Sequence, residues 1–180
     1  MQINDGWLDC ADQSPCDHFD SRPDTYDISL LVIHNISLPP GMFGGSHIQD
    51  FFAGQLDPQA HPFFQQICAM RVSSHLLIRR DGNIVQFVPF HQRAWHAGLS
   101  SFQGRSCCND YSIGIEMEGT DEVAYTNEQY QALIKVTKCI MATYPAITLA
   151  NIVGHNDIAP GRKTDPGHAF DWCYYRQRLN

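Results

Sequence analysis

Residues 28–34, "ISLLVIH", form a continuous apolar run with β-branched members, closed by a histidine. A strand with one face in water alternates apolar and polar residues, so an unbroken run is a strand covered on both faces. That calls for a parallel or mixed sheet with layers above and below it. The stretch "LANIVGH" at 149–155 reads as a second short buried strand that also ends in a histidine. Open α/β folds place their chemistry in loops at strand ends, which puts His34 and His155 at the rim of the sheet.

The rest of the chain supplies the partners of that sheet. "HLLIRRDGNIVQFVPF" (75–90) is a hairpin turning at Asp81-Gly82. "YSIGIEMEG" (111–119) alternates, with Ser112, Gly114, Glu116 and Glu118 on one face and Ile113, Ile115 and Met117 on the other. Glu116 thus projects from a strand whose neighbour on that face is a glycine, while Glu118 reads as a turn or surface carboxylate. "TNEQYQALIKVTKCIMATYP" (126–145) opens with a Thr126/Gln129 capping box, carries apolar residues at helical spacing and stops at Pro145. "SHIQDFFAG" (46–54) has the same box signature at Ser46 and Gln49 and closes on Gly54, predicting a short helix; "HPFFQQI" (61–67) predicts a turn or two more. The stretch 93–110 lacks periodicity, and its length suggests a loop lining a groove.

The expected fold is therefore α/β: one domain over 1–180, a central mixed sheet flanked by helices, with a polar N-terminal arm (1–27) packed on it. A length of 180 residues, 43% hydrophobic and 17% charged, suits a globular domain with a real core. A net charge of −7 argues against nucleic acid or an anionic membrane as partner, since both need clustered Lys and Arg. No basic, apolar leader opens the chain and no run approaches the ~18 apolar residues of a spanning helix, so a cytoplasmic location is expected. Seven cysteines, two of them adjacent and none in a C-x-x-C pair, read as mostly reduced and buried.

"GHNDIAPGRKTDPG" (154–167) concentrates polar chemistry in one loop. A catalytic metal site needs three protein ligands and an open fourth position, and His34, His155 and Asp165 can supply the three. Spacing alone leaves this open, because nine histidines offer other pairings and an Asp before Pro-Gly is an ordinary turn residue. Lys163 and Arg162 equally suit a solvated loop.

The blocks "HNISLPPGMFGG", "DPQAHPFF", "RVSSHLLIRRDG", "RAWHAG", "CNDYSIGIEMEGTD" and "GHNDIAPGRKTDPG", in that order, resemble the zinc-dependent N-acetylmuramoyl-L-alanine amidases related to peptidoglycan recognition proteins. The likeness covers nearly the whole chain and is nearest to the cytoplasmic, cell-wall-recycling branch. It implies the corresponding fold and a Zn2+ ion bound by His34, His155 and Asp165; many relatives have Cys at the third position. It also implies Glu116 as general base and Lys163 as oxyanion stabiliser, with a 1,6-anhydro-muropeptide as the substrate, cut between the lactyl group and L-alanine. Lys163 must stay protonated beside a cation, so Glu116 or Glu118 has to offset the metal's field. Asn35, next to a ligand, is placed on the sugar or lactyl amide, and Arg71 on a peptide carboxylate. Trp95 and His96 match the family pattern, though a buried aromatic and a hydrogen-bonded histidine account for them equally; His61, His75, His91 and His168 are read as structural. The enzyme is expected to act as a monomer. The competing readings are a lytic amidase on intact wall and a non-catalytic muropeptide-binding module.

Overall fold

The computed structural model describes residues 1–180. Six strands form the central sheet: β1 (Asp12–Gln13), β2 (Leu30–Ile36), β3 (Leu76–Ile78), β4 (Ile84–Gln86), β5 (Ser112–Glu118) and β6 (Ile152–Gly154). Their spatial order is β6-β2-β5-β3-β4-β1. Every neighbouring pair is parallel except the hairpin β3–β4, so the sheet is mixed. The apolar run does form a strand with its first five residues buried. It continues two residues past His34, however, because its pairing with β5 extends to Ile36 opposite Glu118.

Both faces are covered, as the unbroken run required. On one side Leu31, Ile33, Ile113, Ile115 and Met117 pack with Tyr130, Leu133, Val136 and Ile140 of helix α3 (Asn127–Thr143) and with Tyr175 and Leu179 of α5 (Trp172–Leu179). Leu133, Val136 and Ile140 are fully buried. At about 1.5–3 kcal/mol for each such side chain, packing outweighs the few tenths per residue of helix propensity and holds α3 in place. The Thr126 hydroxyl accepts from Gln129 N at 3.1 Å and the Gln129 side chain accepts from Thr126 N at 3.1 Å, completing the expected capping box.

The other face carries two smaller clusters. Leu30 and Val32 pack with Ala97, Tyr111, Val153 and Ile158. Leu77, Val85 and Phe87 pack under α1 (His47–Phe52) and α2 (Phe64–Ile67). The box predicted at Ser46 does not form: Ser46 takes helical φ/ψ, and its hydroxyl donates to Asp50 Oδ2 at 2.7 Å. The N-terminal arm contributes β1 to the sheet edge and buries Leu8 and Arg22. Arg22 has no carboxylate partner; its guanidinium donates to the carbonyls of Phe90, Asn109, Asp110 and Ser112. Burial brings its pKa down to about 10.

Three further expectations change. The 93–110 stretch is not without secondary structure, because Ser101–Phe102 and Arg105–Ser106 form a small antiparallel pair followed by a 3-10 turn at Cys108–Asp110. Glu118 is no surface carboxylate: it is 1% exposed, and accepts from Gly44 N at 2.6 Å and Arg80 N at 3.0 Å, joining two loops. Of the seven unpaired cysteines only Cys16 and Cys108 are buried, while Cys10, Cys107 and Cys173 are exposed. No helix is long and apolar enough to cross a membrane.

Candidate active site

Sheet register builds the core of the site. Glu116 on β5 is the direct neighbour of His34 on β2, and Gly154 of β6 pairs with Ile33, so His155 follows on the far side of His34. Side chains in register on adjacent strands share a face and stand about 5 Å apart. His155 is the first residue of a one-turn helix, α4 (His155–Ile158). The loop after α4 folds back, with Asn156 N donating to the Asp165 carbonyl at 3.0 Å, and returns Asp165 to the histidines.

The three residues meet. His34 Nδ1 and His155 Nδ1 are 3.0 Å apart, and Asp165 Oδ2 lies 3.1 Å from the first and 3.0 Å from the second. His155 Nε2 faces the Ala97 carbonyl at 3.1 Å. A carbonyl can only accept, so Nε2 carries a proton, which leaves Nδ1 as the atom through which this ring can bind a cation. Burial lowers the His34 pKa to about 4, against the pull of Asp165, and keeps the ring neutral near pH 7. Burial raises the Asp165 carboxyl, but its contacts with His155 and His34 outweigh that and hold it well below the usual carboxylate range. The set therefore gathers one carboxylate oxygen and two imidazole nitrogens around one point. A four-coordinate divalent ion with bonds near 2.0–2.1 Å needs donor atoms about 3.3 Å apart, and the observed triangle matches that closely. These residues are suited to hold a metal ion.

Glu116 stands beside this triangle, 9% exposed, with Oε2 lacking any hydrogen-bond partner. Burial, helped by the Asp165 charge, pushes its pKa well above the ordinary value, and Lys163 pulls the other way. An unpartnered buried carboxyl oxygen is costly and uncommon, and active sites are where such cost is tolerated. Glu116, Lys163 and the three metal-site residues line one cavity of about 360 Å³. Its apolar wall is formed by Leu38, Phe51, Phe52, Phe63, Ile67 and Trp95. Asn35 lines it too, with its amide donating to Asp121 Oδ1 at 2.8 Å.

Arg71 lies outside the lining, exposed, with its guanidinium carbon 5.8 Å from the centre of the Trp95 ring. Glu118 cannot offset a cation at this site, since its carboxylate is committed to Gly44 and Arg80; only Glu116 of the two is placed to do so. Arg162 is not a free loop charge: it donates to the carbonyls of Ala97 at 2.7 Å and Leu99 at 2.8 Å. Sequence reasoning left the contact of His96 with His34 unread, because nothing local signals that residue 96 reaches residue 34.

A sheet-end cavity that joins three residues able to hold a metal ion to an unpartnered carboxyl is an arrangement suited to hydrolysis. The N-acetylmuramoyl-L-alanine amidase family model matches residues 24–168, and the chain belongs to that family. It is 60% identical over 176 residues, 98% of its length and 96% of the relative's, to the 1,6-anhydro-N-acetylmuramyl-L-alanine amidase AmpD of Escherichia coli. A crystal structure of a selenomethionine AmpD derivative superposes with a TM-score of 0.97 at 58% identity, covering all of both chains. The E. coli amidase AmiD, solved as a complex with the substrate anhydro-N-acetylmuramic acid-L-Ala-D-γ-Glu-L-Lys, is 33% identical with a TM-score of 0.61. That match covers 84% of this chain and 57% of the other. The chain is an amidase, a hydrolase of amide bonds.

Proposed function

We propose that this amidase cuts the amide between the lactyl group of 1,6-anhydro-N-acetylmuramic acid and L-alanine, in peptidoglycan recycling, with zinc held by His34, His155 and Asp165. The observation that carries this reading is the convergence of those three donors beside the unpartnered Glu116 carboxyl in one cavity. Two imidazoles and one carboxylate are a common ligand set for catalytic zinc. The chemistry zinc supplies there is Lewis acidity, which acidifies water and polarises an amide carbonyl.

The chain's own residues do the rest. Glu116 Oε2 takes the proton of the attacking water and later returns one to the alanine nitrogen as the C–N bond breaks. Its raised pKa suits a group that must accept and then release a proton near neutrality. The Lys163 ammonium, on the same cavity wall, stabilises the oxyanion that develops on the lactyl carbonyl. The apolar wall seats the sugar and lactyl methyl, and excludes water from the reacting centre. Asn35 hydrogen-bonds the substrate beside the reacting amide, and Arg71, next to the lining residues Met70 and Val72, pairs with a stem-peptide carboxylate. The near relatives' names and the ligand in the AmiD complex support the anhydro-muropeptide as substrate.

The test is incubation of the zinc-loaded protein with a defined anhydro-muramyl peptide and, separately, with intact sacculi, following products by mass spectrometry. Release of anhydro-sugar and free peptide from the small substrate, abolished by chelator and restored by zinc, is expected. Preferential release from sacculi would instead make the protein a lytic amidase, and binding without cleavage would make it a recognition module.

A further inference from the structure

We infer that His96 is the positioning residue of the metal ligand His34, holding it through a ring-to-ring hydrogen bond that is backed in turn by Ser112. This rests on the reading above that His34 binds a metal ion. His34 Nε2 lies 2.9 Å from His96 Nδ1, and His96 Nε2 lies 3.0 Å from Ser112 Oγ. The two rings meet edge to face, 84° apart with centroids 4.9 Å from each other.

The direction of this chain follows from what His34 must do. To bind a cation through Nδ1 a neutral imidazole keeps its one proton on Nε2, so the partner at Nε2 must be an acceptor. His96 accepts there only with Nδ1 bare. Its own proton is then on Nε2, where it donates to the Ser112 hydroxyl oxygen. Outer partners of ligating histidines are ordinarily carboxylates, carbonyls or waters. An imidazole in that place fixes the ligand's tautomer without adding negative charge beside the metal.

The surroundings are built to hold His96 there. A Cβ on Gly114 would fall 2.5 Å from His96 Cγ, so only glycine at that strand position leaves room for the ring. Asn109 Oδ1 accepts from both His96 N at 3.1 Å and Ala97 N at 2.8 Å, clamping this dipeptide's backbone. The Ala97 carbonyl in turn accepts from Nε2 of the second ligand, His155. One dipeptide therefore sets the tautomer of both imidazole ligands, His96 by its side chain and Ala97 by its carbonyl.

The test is zinc affinity, measured on purified protein by competition with a chromophoric chelator. His96→Phe keeps the ring's volume and removes the acceptor; His96→Asn keeps an acceptor oxygen close to the Nδ1 position. His96→Phe is expected to bind zinc about 10–100-fold more weakly, with His96→Asn recovering most of the loss. Equal affinity of His96→Phe and wild type would overturn the inference. Should the Phe variant not fold, nitrogen-15 NMR of zinc-loaded wild type decides: His96 protonated on Nε2 is expected, and protonation on Nδ1 would overturn it. Wild type that binds no zinc would defeat the metal reading itself, an outcome distinct from either.

Discussion

His34 and Glu116 are register partners on adjacent parallel strands, so the proposed metal ligand and the proposed proton acceptor are placed side by side by backbone hydrogen bonds rather than by loops. Sites built on sheet strands hold their geometry more closely than sites on loops. The same register separates two roles that substitution can pull apart.

Asp165→Ala should lose zinc and activity together, because it removes the only anionic donor of the triangle. Glu116→Gln should keep zinc and lose about 10²–10⁴-fold in kcat, the usual range for a positioned base. Metal content of the dialysed proteins and turnover of an anhydro-muramyl peptide check both. A Glu116→Gln enzyme near the wild-type rate would remove Glu116 from the mechanism.

Lys163→Ala should lower kcat by about 10²–10³-fold with zinc content unchanged, the size of effect seen when an oxyanion donor is removed. Lys163→Arg should recover part of the loss. Steady-state kinetics separates this from a binding role, for which KM would rise and kcat would hold.

The buried carboxyl of Glu116 also has a signature in stability. Its folded-state pKa is raised by burial, whereas in the unfolded chain it titrates near ~4.3. Below that value both states are protonated and Glu116 adds no pH dependence. As pH rises past it the unfolded chain releases the proton first, so Glu116 destabilises the fold increasingly until the folded-state pKa is passed. In chelator, Glu116→Gln should therefore match wild type at about pH 4 and melt at a higher temperature at pH 7. Equal melting temperatures at both pH values would contradict the burial argument.

Two serine or threonine positions with the same capping signature should behave differently. Thr126→Ala breaks a formed box and should cost about 1 kcal/mol, whereas Ser46→Ala, with no cap bond to lose, should stay within about 0.5 kcal/mol. Urea denaturation of the two variants reads the difference directly.

The contrast between these two caps also marks how far the fold was legible in the sequence. The covered strand read at 28–34, the hairpin at Asp81-Gly82 and helix α3 announce themselves through signals within a few residues, and each is found, the strand displaced to 30–36. Ser46 carries the same local signal and fails, because its hydroxyl turns to Asp50. Glu118 looked like a surface carboxylate because alternation assigns a face, not what covers that face. Resemblance supplied the set His34, His155 and Asp165, which spacing left open. The contacts that orient them, His34 with His96 and His155 with Ala97, span 62 and 58 residues, and no periodicity encodes a meeting at that range.

The order of strands in the sheet has a consequence for how the chain is made. β2, the second strand of the central sheet in chain order, is flanked in the sheet by β5 and β6, so both of its edges wait for partners that are synthesised much later. His34 and Asp165 are 131 residues apart, and no nascent chain that stops short of the 154–167 loop can gather the three donors. Until then, an apolar strand with two open edges is exposed to pairing with other chains, a hazard inherent in parallel sheets of high contact order. The donor triangle is therefore completed as a late event of biogenesis, and its closure reports that the last strand has been placed.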